Sequence, residues 1–126
     1  MINVVDSSGW IEYFLDTASA DNFAAAIEQT DQLIVPCLSF FEVHRFLSRA
    51  ADAAQRETGL DIMRRGKVVE LTAQRAIAAS DTAQKYRLAM ADAVMYSIAV
   101  EFNATFWTQD VDYKDLPGVS YHVKAQ

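Results

Sequence analysis

The sequence predicts an α/β protein, a three-layer α/β/α sandwich built on a small, mostly parallel sheet. Three observations carry the prediction. Short apolar runs alternate with longer stretches of helical spacing, the order expected of a parallel sheet with helices on both faces. The runs are apolar nearly throughout, as strands covered on both faces are. Two of them are closely followed by an acid, at the edge where such a sheet gathers its ligands. The chain has 126 residues, 52% of them hydrophobic, enough for one real core. No repeat, low-complexity tract or linker divides it, so a single domain over residues 1–126 is expected.

The elements follow in order. "INVVD" is a strand from about Ile2 to Val5, closed by the turn-like "SSG". "WIEYFLDTASADNFAAAIEQTD" has helical spacing, with Trp10, Phe14 and Leu15 on one face and Phe23 and Ile27 four apart on a second short helix. "QLIVP" is the next strand. "CLSFFEVHRFLSRAADAAQRE" is the longest helical signal, with Phe40, Val43, Phe46 and Leu47 at helical spacing. "GLDIMRRG" reads as a short helix or turn and "KVVEL" as a third strand. "TAQRAIAASDTAQKY" is a helix capped by Thr72. An apolar helix around Asp92, the strand "ATFWT", a Pro117-Gly118 turn and the strand "VSYHV" complete the chain.

The formal charge of −6 argues against a chain held to nucleic acid by a broad basic surface. It leaves room for an enzyme that grips a few phosphates through a local patch and a metal. The one cysteine, Cys37, reads as a small buried hydrophobe, and with His44 and His122 it makes a poor zinc set. A single cysteine, no leader-like N-terminus and no membrane-length apolar run lead to the expectation of a cytoplasmic protein without membrane contact.

Four carboxylates stand where a site is expected. Asp6 follows the first strand and Asp110 lies one residue beyond "ATFWT". Glu42 lies three residues after Ser39, so two readings stand open: a capping box on the long helix, or a carboxylate in its first turn facing the sheet edge. Asp92 in its first turn reads either as a favourable charge at a helix N-terminus or as a half-buried functional acid on an apolar helix. Converging carboxylates repel, and a divalent cation relieves this; oxygen donors favour magnesium or manganese over zinc. Ser7 and Thr108 are placed to orient a ligand or a carboxylate. Asp112 either joins through water or faces solvent. Arg45 and Arg49 follow Glu42 on its side of the helix, and Lys85 and Arg87 precede the Asp92 helix, an arrangement suited to a nucleic-acid backbone. The plainer reading of the arginines is a solvated face in which Glu42 pairs with Arg45.

The order of these features resembles the PIN domain, and more closely the VapC-type ribonuclease toxins of toxin–antitoxin modules, over nearly the whole chain. The resemblance rests on "VVDSSGWIEYF" with Asp6 and Ser7, "VPCLSFFEVHRFL" with Glu42, "LAMADAVMYSIAVE" with Asp92, and "WTQDVDYKDLPGV" with Thr108, Asp110 and Asp112. Tyr113 stands where the family pattern has Phe, and "VMYSIA" departs from its smaller residues. The resemblance implies a magnesium- or manganese-dependent endoribonuclease whose metal-activated water cuts RNA to leave a 5′-phosphate and a 3′-hydroxyl. Asp6, Glu42, Asp92 and Asp110 would hold the ion or ions. A small antitoxin protein would silence the enzyme, and a homodimer is expected, with large apolar groups of the first helices supplying the contact. A PIN nuclease of RNA processing and an inactive PIN interaction module are the alternatives. A magnesium-binding receiver domain fits less well, since "INVVDSS" has no acid pair and no Lys directly follows "ATFWT".

Overall fold

The computed structural model describes residues 1–126. Five strands form one sheet: β1 (Asn3–Val5), β2 (Leu33–Pro36), β3 (Lys67–Val69), β4 (Thr105–Thr108) and β5 (Val119–Tyr121), in the order β3-β2-β1-β4-β5. Every neighbouring pair is parallel, so the sheet is wholly rather than mostly parallel. From β1 the chain winds outward through β2 and β3, then returns to the other side of β1 for β4 and β5. The strand order therefore reverses between β1 and β4, and a crevice opens at their carboxyl ends.

Six helices cover the two faces: α1 (Ser7–Leu15), α2 (Asp21–Glu28), α3 (Cys37–Ala50), α4 (Ala53–Met63), α5 (Ala73–Tyr86) and α6 (Met90–Glu101). Successive strand residues point to opposite faces. Val4 and Ile34 pack with α5 and α6 residues such as Ala79, Val94 and Ile98, while Val5 and Val35 pack with Trp10, Phe23, Val43, Leu47 and Met63 from the first four helices. Fully burying each such side chain contributes about 1.5–3 kcal/mol, and the apolar helix α6 is buried over most of its circumference. No helix is long and apolar enough to cross a membrane.

The long helical signal after β2 is two helices. Asp52 stops the run: its Oδ1 accepts from the Gln55 N–H at 2.7 Å, and Gln55 Oε1 accepts from the Asp52 N–H at 3.1 Å, a reciprocal cap that begins α4. Of the two readings left open for Glu42, the capping box with Ser39 does not form. The cap residue of α3 is Pro36, so Glu42 falls in the second turn, and the buried Ser39 hydroxyl donates to Met95 Sδ at 3.3 Å. Pro36 ends β2 and opens a helix that does not need its missing N–H. Thr72 caps α5 as expected, its Oγ1 accepting from the Arg75 N–H at 3.2 Å. Cys37 is half-buried at the start of α3.

Gly9 sets how closely α1 approaches the sheet. A Cβ there would lie 2.7 Å from Phe23 Cδ1 and 2.8 Å from Val5 Cγ1, so any larger residue forces the Phe23 ring, the Val5 side chain or α1 itself to shift.

Candidate active site

Asp6 leaves the carboxyl end of β1 buried, and serves as the N-cap of α1. Its Oδ1 accepts from the Ser7 N–H at 2.8 Å, and its Oδ2 accepts from the Thr108 hydroxyl at 2.9 Å. Thr108, the last residue of β4, is fully buried, and its oxygen also accepts from the Asp110 N–H at 2.9 Å. One hydroxyl thus ties the ends of the two strands that flank the crevice. Burial pushes the Asp6 carboxyl up to about 7; the bonds from Thr108 and Ser7 oppose this, and Asp92 and Asp110 add to it.

Glu42 comes from α3, where Oε1 accepts from the Ser7 hydroxyl at 2.6 Å. It forms no ion pair with Arg45. Asp92 lies in the first turn of α6 but makes no capping bond. Burial raises its carboxyl above the ordinary range, the Tyr113 hydroxyl opposes this, and Asp110, Glu42 and Asp112 raise it further. Asp110 caps a short 3-10 turn, Val111–Tyr113, by accepting from the Asp112 N–H at 2.9 Å.

These residues share one polar depression of about 370 Å³, lined by Asp6, Ser7, Ser8, Glu42, Asp92, Gln109, Asp110 and Lys124. Oxygens of Asp92, Asp110 and Asp112 all lie within 4.8 Å of one another. Asp112, expected at the margin, thus stands in the tightest group of carboxylates although it is exposed. An all-oxygen donor set, two carboxyls raised in part by their neighbours and a cleft with no apolar lining fit a hard divalent cation such as magnesium or manganese.

The basic residues divide. Arg45 and Arg49 line a shallow groove with Ile11, Phe41 and Phe46, and this groove shares Ser7, Ser8 and Glu42 with the acidic depression. Neither arginine is in an ion pair, whereas Arg56, Arg64 and Arg75 pair with Glu57, Asp61 and Glu101. Lys85 and Arg87 lie outside the acidic lining. The Lys85 ammonium sits 5.2 Å over the Tyr86 ring, and Arg87 closes α5 in the left-handed region with φ 58°. Sequence reading passed over Lys124, Ser8 and Gln109. Lys124 belongs to a tail without periodicity, carried to the site because the His122 N–H bonds the Thr108 carbonyl at 2.9 Å and the Ala125 N–H bonds the Ser19 hydroxyl at 2.8 Å. Only the parallel placement of β5 beside β4 reveals it.

Comparison with known proteins gives three findings. The PIN domain profile matches residues 4–119. No curated protein matches by sequence. Solved structures share the fold at low identity. A toxin–antitoxin complex from Klebsiella pneumoniae is 18% identical, with a TM-score of 0.79 over 94% of this chain and 95% of that one. VapBC2 from Rickettsia felis, bound to a DNA fragment from its promoter, is 16% identical, with a TM-score of 0.73 over 97% and 98%. VapC20 of Mycobacterium tuberculosis, a sarcin–ricin loop cleaving toxin, is 15% identical, with a TM-score of 0.75 over 91% and 95%.

Proposed function

The chain belongs to the PIN-domain family, and from that premise we propose that it is a metal-dependent endoribonuclease toxin of the VapC type, silenced by a small antitoxin protein. One observation carries the reading: Asp6, Glu42, Asp92 and Asp110, from four separate segments, line one polar depression at the crevice between β1 and β4. The likeness to VapC20 and to the two toxin–antitoxin complexes supports the toxin and antitoxin roles.

In this reading Asp6, Glu42, Asp92 and Asp110 would hold magnesium or manganese, with Asp112 close beside Asp92 and Asp110 to support them. The cation, when bound, lowers the pKa of water and draws charge from a phosphoryl oxygen. Thr108 and the Ser7 N–H keep Asp6 in one orientation, and the Ser7 hydroxyl does the same for Glu42. The groove bearing Arg45 and Arg49 takes the RNA backbone toward the acids. Hydrolysis breaks the P–O3′ bond and forms a new bond from phosphorus to the water oxygen, leaving a 5′-phosphate and a 3′-hydroxyl.

Purified protein incubated with total cellular RNA is expected to release fragments with 5′-phosphates in magnesium or manganese and to stop when EDTA removes the metal. Cleavage that continues at full rate in EDTA defeats the metal-dependent reading. In the same assay Arg49→Ala should weaken RNA binding and lower the slope of log affinity against log salt by about one. Coexpression with a small protein encoded in the adjacent reading frame should abolish cleavage; the lack of any such inhibitor favours a PIN nuclease of RNA processing.

The homodimer is part of the same proposal. Trp10 and Phe23 are consumed by the core, while Leu15, Phe41 and Phe46 remain exposed on the first helices. A two-fold contact centred on Leu15, leaving the groove at Phe41 and Phe46 open to RNA, is the expected assembly. Light scattering should report two chains per particle, and a monomer throughout the micromolar range removes the dimer.

A further inference from the structure

We infer that Tyr113 is a positioning residue for Asp92: its hydroxyl, buried under the acidic depression, holds the Asp92 carboxylate in the orientation that receives the cation. The inference rests on the metal-dependent reading above and adds a residue to it.

Tyr113 closes the short turn that Asp110 caps, and its own N–H bonds the Asp110 carbonyl at 3.1 Å. The residue is fully buried. Its ring packs 4.7 Å from Phe106 and 6.2 Å from Tyr96, centroid to centroid, in the core beneath α6. Packing therefore fixes the ring, and the ring fixes the hydroxyl. Yet that hydroxyl has no hydrogen-bond partner. A buried polar group left unpaired costs about 1–3 kcal/mol, and Phe would fill the same space without the cost. The oxygen is the only thing Tyr adds.

What the oxygen faces is the acidic group. Burial raises the Tyr113 phenol, and Asp6, Asp92 and Asp110 each raise it further, so all three carboxylates lie within electrostatic reach. Asp92 is the one whose own carboxyl the Tyr113 hydroxyl stabilises in the charged form. No hydrogen bond fixes the orientation of the Asp92 carboxylate, in contrast with Asp6, Glu42 and Asp110, each of which accepts at least one. Partners of this kind orient ligand carboxylates and raise metal affinity.

The test is Tyr113→Phe in the full chain, with Mn2+ alone as the probe. Three quantities are read: metal-free unfolding temperature, Mn2+ affinity by calorimetry, and the Mn2+ concentration giving half-maximal RNA cleavage. The metal-free unfolding temperature should hold or rise, because an unpaired hydroxyl has been removed. Mn2+ binding should weaken about tenfold. Half-maximal cleavage should move to about tenfold more Mn2+, while the rate at saturating Mn2+ recovers to near wild type. Unchanged Mn2+ affinity overturns the assignment, and so does a loss of metal-free stability, which would make the hydroxyl structural. A wild-type chain that binds no Mn2+ removes the metal-dependent reading itself, whereas wild-type binding with an unaltered variant removes only the role of Tyr113.

Discussion

Asp92→Asn is expected to abolish RNA cleavage while leaving the protein folded. Residues that only orient a metal ligand cost about 10- to 100-fold when removed, so a direct ligand should cost at least about 100-fold. The exchange keeps the shape and removes the charge that holds the cation. Stability should not fall, because burial already works against the Asp92 charge and Asp110, Glu42 and Asp112 add to that penalty. Asp92 also makes no capping bond that the exchange could break. The measurement pairs cleavage of total RNA in saturating Mn2+ with a thermal melt in EDTA. Wild-type cleavage by the variant defeats the role given to Asp92, and a collapsed melting temperature would mean that the acid is structural.

The metal-free protein should become less stable as pH rises from about 4 to about 7, and Asp6 should be the main cause. The folded state raises this carboxyl from 3.8 to about 7. Across that interval the folded chain keeps a proton that the unfolded chain releases, so the unfolded state binds fewer protons and stability declines with pH. The change is fully developed above pH 7 and absent below about pH 4. Its size is on the order of 4 kcal/mol. Asp6→Asn should flatten most of the slope, less a smaller cost from disturbing the bonds to Ser7 and Thr108. Added Mn2+ should act in the opposite sense and stabilise the wild type most where Asp6 is ionised. Urea unfolding in EDTA at a series of pH values reads the effect. A flat wild-type profile, or a slope that survives Asp6→Asn, would remove Asp6 as its source.

The alternation of strand and helix was legible because its signals are local. The strands β1 and β2 are buried throughout and β4 carries Phe106 and Trp107 at its centre, and Thr72 marks the start of α5 three residues before the amide it accepts from. The break between α3 and α4 was missed because apolar spacing runs through it and only the Asp52 and Gln55 pair marks the stop. The same kind of local pattern left Ser39 and Glu42 open between two readings. A capping box requires Ser39 to stand outside the helix, and β2 delivers the chain into α3 at Pro36, three residues earlier. Arg45 shows a similar limit: its spacing from Glu42 suits an ion pair, but Ser7 of α1 reaches the carboxylate instead.

By itself the sequence determined the alternating elements, the layered architecture and the appearance of acids beyond strand ends and near helix starts. These depend on propensity, periodicity and capping, which act over a few residues. Only the tertiary structure decided which groups meet and in what protonation state. Asp6 and Thr108 are 102 positions apart in the chain and 2.9 Å apart in space. Lys124 comes to the acids because β5 lies parallel beside β4. The raised carboxyls of Asp6 and Asp92 and the unpaired Tyr113 hydroxyl follow from the same cause. Desolvation and Coulomb interaction depend on distance and burial in three dimensions, and neither is written in the spacing of residues along the chain.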